Sequence, residues 1–377
     1  MTLTLKGFTV RGYRSLRRIS YPVSQLDVFV GANGVGKSNL FRSLALARAA
    51  ADNSLGRELA AEGLRSALWA GPRRRDEPTG LELSVDLAAA GAAGHFRYEV
   101  SVGFPAPTAG AFPGEPQVKT ESLSYVTRAR AHRLVDRKGA SVMVRDGSGR
   151  PGDLDIDVLP SETILGRLED PANHPELDQV RRTLLEWRLY HDLRTDPASP
   201  LRRPCVAVAS PTLDADGSNL AAVFATLSQI RQDTADLDRV IDHAFPGTRL
   251  VSEAEGEARF ALTYPDFPNR LFQAAELSDG TLRFLALAGA LMGYRLPPFI
   301  ALNEPETSLH PDLMEPLGEM IVEAARRTQV WLVTHSERLA AVIARSGEGA
   351  VRTVVKAEGA TTVEGLTLMR TFRDEDD

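Results

Sequence analysis

The chain has 377 residues, of which 43% are hydrophobic, 25% charged and 6% aromatic, with a formal net charge of −6. That length can bury a sizeable core as one large α/β domain or two smaller ones, and the composition excludes a fibrous or disordered protein. The acidic balance does not mark the whole molecule as a polyanion binder, although local basic patches still can serve one.

The longest apolar run, Phe284 to Tyr294, suits a buried helix and falls short of the roughly 18 apolar residues a spanning helix needs. The opening MTLTLKGFTVRGYRS lacks an apolar stretch ending in small residues, so a secretory signal is not expected and a cytoplasmic location is. One cysteine, Cys205, excludes an internal disulfide and a cysteine-cluster metal site; within CVAVA it is expected to be a buried structural thiol.

In chain order, LTLKGFTV and LDVFV (Leu26 to Val30) read as strands around a polar turn at Arg14 and Ser15, and a helix is expected from Ser38 through Ala50. LELSVDL, HFRYEVSVGF, SLSYVTRA and SVMVRDG, separated by Gly and Pro, predict an antiparallel β-subdomain over 80–150. Ile164, Leu165, Leu168, Val180, Leu184, Leu185 and Trp187 recur at helical spacing, as do Leu220, Val223, Phe224 and Leu227, giving a helical insert over 155–245. Strands return at RLVSEAEG, ARFALTYP and RLFQAAEL. Helix Leu282 to Met292, strand PPFIAL, helix Leu313 to Arg326 and strand VWLVT then alternate as a parallel sheet with crossover helices does. The fold class is therefore α/β, read as one body over 1–377 in which 1–60 and 264–377 form the core. No heptad run is long enough for an extended coiled coil. The acidic tail, Asp374 to Asp377, reads as solvated.

The chemistry starts at Gly31-Ala32-Asn33-Gly34-Val35-Gly36-Lys37-Ser38, which fits G-x-x-x-x-G-K-[ST] between a strand and a helix. The glycines allow the backbone to curl so that N–H groups face phosphate oxygens, with the positive end of the following helix behind them. Lys37 then reaches the β- and γ-phosphates and the Ser38 hydroxyl ligates Mg²⁺; Asn39 follows in the first turn. Such a string arises by chance in roughly 0.01 chains of this length at average residue usage. Further on, the apolar strand Phe299 to Leu302 ends in Asn303-Glu304-Pro305-Glu306, where Glu304 can polarise an attacking water as general base.

Between these motifs lies Leu277-Ser278-Asp279-Gly280-Thr281-Leu282-Arg283 at the start of a helix, and this resembles the ABC-type ATPase signature LSGGQ. SLHP (Ser308 to Pro311) resembles the D-loop of that family and VTHS (Val333 to Ser336) its switch histidine, His335, in the family's order. VRGYRSLR and NEPETSLHP are similar to the RecF/SMC branch and to bacterial predicted AAA-family ATPases related to it; the resemblance covers residues 5–45 and 270–340. It implies a single ABC/SMC-type P-loop NTPase head with 1–60 and 264–377 as its nucleotide-binding core, and a head-to-head homodimer sandwiching two ATP molecules, with Ser278, Asp279 and Gly280 of one subunit against the γ-phosphate held by Lys37 of the other. It further implies that His335 contacts the γ-phosphate side in cis, that Ser308 to His310 signal across the interface, and that Arg14 touches nucleotide. The Mg²⁺-organising aspartate of the family is replaced by Asn303, whose amide can accept from a metal-bound water but supplies no charge, so slow hydrolysis is expected. No glutamine is assigned to Mg²⁺.

Arginines cluster at Arg11, Arg14, Arg17 and Arg18, at Arg73, Arg74 and Arg75, and at Arg128, Arg130 and Arg133. Such clusters can neutralise phosphates, and with the resemblance they imply action on DNA in repair or defence, with any nuclease supplied by a partner protein. Two alternatives stand beside that reading: a nucleotide-binding subunit of a membrane transporter, and a slow nucleotide sensor regulating a partner protein.

Overall fold

The computed structural model describes residues 3–75, 77–105, 112–145, 150–153, 156–231, 234–367 and 370–372, and the acidic tail lies outside them. Strands β1 (Leu3–Tyr13), β2 (Leu16–Pro22) and β3 (Leu26–Val30) precede helices α1 (Lys37–Ala51), α2 (Leu55–Glu62) and α3 (Leu64–Ala67). Six strands follow: β4 (Leu81–Ala89), β5 (Gly94–Gly103), β6 (Gln117–Thr127), β7 (Ala131–Lys138), β8 (Ser141–Arg145) and β9 (Pro151–Asp153). The middle holds α4 (Ile164–Arg167), α5 (Pro175–Glu186), β10 (Arg188–Tyr190), β11 (Cys205–Val206), α6 (Leu220–Thr226) and α7 (Ala235–Ala244). Then come β12 (Arg249–Glu253), β13 (Glu257–Tyr264), β14 (Phe267–Gln273), α8 (Asp279–Met292), β15 (Phe299–Asn303) and α9 (Met314–Ala325). The chain finishes with β16 (Gln329–Val333), α10 (Glu337–Ser346), β17 (Ala350–Ala357) and β18 (Ala360–Val363).

These elements form two units, one from residues 1–24, 31–187 and 352–377 and the other from 25–30 and 188–351. In the first, an antiparallel sheet runs in the order β2-β1-β4-β5-β6-β7-β8-β9. The antiparallel block therefore does not begin near residue 80: β1 pairs with β4 from Leu3 opposite Ala89 to Arg11 opposite Glu82, which brings the N-terminal hairpin into the same sheet. Helix α1 lies against β1, β4, α4 and α5 and buries Leu40, Phe41, Leu44 and Ala47. The start of α4 is capped by a carboxylate from β6, since Glu121 accepts from the N–H groups of Ile164 and Leu165 at 2.7 and 2.9 Å.

The second unit is built on four parallel strands ordered β10-β15-β16-β3. FIALN and QVWLV are buried at every position, as strands covered on both faces must be. Phe29 stacks on Trp331 across β3 and β16 with ring centroids 4.3 Å apart. Helices α6, α8 and α9 fill the core beside this sheet, and β11, β12 and β14 pair antiparallel with or beside β13.

Two expectations are corrected. The segment 155–245 is not one helical insert: α4 and α5 sit in the first unit, α6 and α7 in the second, and β10 and β11 interrupt them. Cys205 is only partly buried, because β11 lies at a sheet edge where Val206 and Val208 are 76% and 62% exposed. Among the described residues the longest helix is α1 with 15 residues, so no long coiled coil is present among them, and none of their helices is long and apolar enough to cross a membrane.

Candidate nucleotide and hydrolysis site

In the first unit, Gly31 to Gly36 form the turn that leads into α1, and Gly36 caps that helix in the left-handed region at φ 100°. A Cβ there would stand 2.0 Å from Thr361 Oγ1 and 2.4 Å from Ser15 Oγ, so glycine is required by space as well as by conformation. Behind the loop, Thr361 Oγ1 donates to the Val35 carbonyl at 2.6 Å, Ser15 Oγ lies 2.6 Å from Thr361 Oγ1, and Asn39 Nδ2 donates to Ser15 Oγ at 2.7 Å. The β1–β2 turn, α1 and β18 thus fasten the loop from the rear. Sequence reasoning missed Ser15 and Thr361 as loop-bracing residues because their partnership is set only by tertiary pairing.

Lys37 is buried, and its ammonium donates to the carbonyls of Gly31 and Ala32 at 2.6 and 2.9 Å. Asn33 and Gly34 are exposed, while Val35, Ser38 and Asn39 are half-buried. A helix start leaves its first N–H groups without intrahelical partners and favours an anion there, so this turn has the donors and field a polyphosphate needs. Arg14, at φ 47°, pairs instead with Glu62 at 3.0 Å. Burial first, then the Glu62 charge, pushes the neighbouring Tyr13 hydroxyl up to about 12.

In the second unit, β15 ends at buried Asn303, whose Nδ2 lies 3.0 Å from His191 Nδ1. Glu304 turns the chain at φ 48°, with its N–H on the Val333 carbonyl at 2.7 Å. A non-glycine residue held there stores about 1–3 kcal/mol of strain that surrounding bonds must hold. Buried Glu306 is the hub: its Oε1 accepts from Thr334 Oγ1 at 2.6 Å and from the N–H groups of His335 and Ser336 at 2.9 and 3.2 Å. The His335 ring lies 3.1 Å from that oxygen and 4.0 Å from Glu304 Oε2. Glu304, His335 and Asn303 are therefore gathered at the adjacent ends of β15 and β16.

The segment around Ser278 belongs to the same unit. Ser278 caps α8 by accepting from the Thr281 N–H at 3.1 Å, and Ser278 and Asp279 are exposed with Gly280 half-buried beside the Ser308 carbonyl. Two arginines outside the expected set hold these loops. Arg202 donates to the carbonyls of Ala275 and Leu277 and to Asp279 Oδ1 at 3.1, 2.8 and 2.6 Å. Arg283, from α8 itself, donates to the carbonyls of Leu193, Glu304 and Pro305 at 3.4, 3.3 and 3.2 Å. Arg283 is visible in the string LSDGTLR, but nothing in the sequence marks Arg202.

The residues fit a phosphate-bound metal better than a protein-chelated one. Among the described residues no group of three or more His, Cys, Asp or Glu side chains could hold a metal ion. Asn303 Oδ1, however, is buried without a hydrogen-bond partner, an acceptor that a metal-bound water would satisfy. Of the arginine clusters, Arg11, Arg17 and Arg133 pair with Glu82, Glu77 and Asp136 at 3.3, 2.8 and 2.7 Å. Arg18, Arg73, Arg74, Arg75, Arg128 and Arg130 are exposed.

Residues 167–341 match the family model described as "AAA domain, putative AbiEii toxin, Type IV TA system", and residues 3–55 match the one described as "Protein of unknown function (DUF2813)". No curated protein sequence matches the chain. Among solved structures it is similar to an SmcHead bound to the C-winged helix domain of ScpA, with TM-score 0.54 and 16% identity over 97% of this chain and 99% of that one. It is equally similar to an Smc head domain with an extended coiled coil bound to the C-terminal domain of ScpA, derived from Pyrococcus furiosus, with TM-score 0.54 and 13% identity over 98% of each chain. The fold is that of an SMC head domain. Over residues 167–341 the chain is thus similar to the AAA-domain family, and over nearly its whole length its fold is similar to that of RecF/SMC-like heads.

Proposed function

We propose that the protein binds MgATP and hydrolyses it slowly between two copies of itself. Lys37 and the N–H groups of Gly31 to Asn39 hold the phosphates, Ser38 and Asn303 serve Mg²⁺ and its waters, and Glu304 polarises the attacking water. His335, steadied by Glu306, faces the γ-phosphate side, and the Ser278 to Gly280 segment seals the nucleotide held by the partner protomer. The observation that carries this reading is that Ser278 and Asp279 are exposed at the start of a helix, with Asp279 pinned by Arg202. A segment braced and yet facing outward is what a second copy needs. Arg14 contributes only by giving up Glu62. Asn303 supplies a neutral acceptor where the resemblance expects an aspartate, and the missing charge supports slow turnover.

The test is to size Glu304→Gln and the parent in MgATP. The variant should accumulate as a dimer while its hydrolysis falls by about 10²–10⁴-fold, the usual contribution of a general base. A variant that stays monomeric at saturating MgATP, or that turns over at the parental rate, removes the sandwich or Glu304 from the reaction.

The finer reading is action on DNA in a cytoplasmic repair or defence role, with any nuclease supplied by a partner protein. The exposed Arg18, Arg73 to Arg75, Arg128 and Arg130 support it. A salt-dependent shift of Glu304→Gln on duplex DNA, lost when Arg73, Arg74 and Arg75 become Ala, is the expected result. Asn303 favours a second reading, a slow nucleotide sensor that regulates a partner protein; it predicts steady-state hydrolysis that DNA does not change. Co-purification with a membrane protein would instead favour a transporter subunit.

A further inference from the structure

Beyond the C-terminal ends of β10 and β15, an amide and an imidazole are paired in a way the proposed roles leave unexplained. Parallel pairing sets Tyr190 opposite Leu302, so His191 and Asn303 emerge next to one another. Asn303 Nδ2 lies 3.0 Å from His191 Nδ1. An amide nitrogen donates and does not accept, so in this pair His191 Nδ1 is placed as the acceptor. With Nδ2 engaged in this way, Oδ1 is committed to the other side of the amide, where it is buried and has no partner. Leaving a buried carbonyl unpaired is costly, and a site that accepts the cost has an acceptor prepared for a donor that arrives later.

We propose that His191 is a positioning residue for the metal's hydration shell: it fixes the rotation of the Asn303 amide so that Oδ1, and not Nδ2, meets a metal-bound water. The proposal rests on the MgATP reading given above. An aspartate at this position would present an acceptor in either rotation and would need no such partner. An asparagine presents an acceptor in one rotation and a donor in the other, and a donor set against a metal-bound water opposes binding. A neutral residue can therefore do the aspartate's work only if a neighbour occupies its N–H, which makes His191 and Asn303 a functional pair.

The experiment is calorimetry of a non-hydrolysable ATP analogue on the full chain, in EDTA and in Mg²⁺, the ratio of the two Kd values giving the metal-dependent gain. His191→Ala should leave the affinity in EDTA unchanged and cut the gain by about fivefold to tenfold, the worth of one hydrogen bond. His191→Gln, whose Oε1 can accept from Asn303 Nδ2, should restore it. In an Asn303→Asp background, His191→Ala should change the gain little. Should His191→Ala not fold, His191→Leu fills the volume without an acceptor and is compared with His191→Gln in its place. An unchanged gain in the Ala or Leu variant overturns the proposal, as does an equal loss in the Asn303→Asp background, which would mark a structural role alone. A parent that binds no analogue in either buffer overturns the MgATP reading and this proposal together, whereas normal binding with an unaltered gain sinks only the latter.

Discussion

Gly36 is the residue at which local conformation and tertiary packing meet. Gly36→Ala forces a methyl group into Thr361 and Ser15 at a φ that alanine rarely adopts, so it should abolish nucleotide binding in a titration with a fluorescent ATP analogue. Thr361→Val is milder: it keeps the shape but removes the donor to the Val35 carbonyl and leaves Ser15 Oγ held by Asn39 alone. It should cost about 1–3 kcal/mol of stability, measured by denaturant titration, and weaken ATP binding with it. The glycine turn between β3 and α1 was legible because its residues are contiguous and its glycines serve local needs. Its brace was not, since Ser15 and Thr361 are 346 positions apart and each is an ordinary hydroxyl in the sequence. His191 hid for the same reason, as its significance appears only when β10 pairs with β15, 112 positions along the chain from it to Asn303.

Among elements, β3, β15 and β16 were readable from their apolar runs, interrupted only by Asp27 in β3 and flanked by Asn303 and Gln329 in the other two, because parallel strands are buried on both faces. Strand β7, AHRLVDRK, escaped because it breaks the alternation expected of a half-buried strand. Its Arg137 is only 1% exposed, with guanidinium bonds to the carbonyls of Gly139, Leu159 and Glu162. A buried arginine looks like a surface residue to any pattern based on polarity. Helix α7 escaped too, for it buries only Leu237 and Ile241. Helix α8 carries the sharper functional consequence. Arg283 ties its first turns to the carbonyls of Glu304 and Pro305, so the helix that presents Ser278 also holds the strained turn at Glu304, the residue proposed as general base. Burial, the largest influence, holds the Arg283 guanidinium below its ordinary pKa without removing its charge. Arg283→Met should reduce kcat by about tenfold or more through misplacement of Glu304, with little change in the affinity for ATP. Equal losses in kcat and in ATP binding would instead indicate that the whole unit had loosened.

On the scale of the molecule, Asp86 ties β4, β5 and the C-terminal segment together, accepting from Arg97 at 2.7 and 3.1 Å and pairing with Arg370. Burial alone would raise its pKa, but the hydrogen bonds and charges of Arg97 and Arg370 outweigh it, and the carboxyl lies below the ordinary aspartate value. A carboxylate depressed by folding contributes its stability in full above the unfolded pKa, near 3.9, and loses it as the pH falls through the folded value. Acid unfolding monitored by circular dichroism should therefore steepen below about pH 4, and Asp86→Asn should flatten that limb while lowering stability at neutral pH. The two-unit division was less legible than the class of fold, because the chain crosses between units at residues 24–31, 187–188 and 351–352. Motifs mark active stretches, not the seams between which they fall.

The rear fastening of the phosphate loop carries one more implication, for shortened versions of this protein. A chain ending near residue 345 would still contain the glycine turn, the LSDG segment, the acidic strand end and His335, so an inventory of motifs would score it as fully equipped. It would nonetheless lack Thr361, and with it the hydroxyl that grips Val35 from behind. Fragments of this kind should be soft at the very turn that defines them.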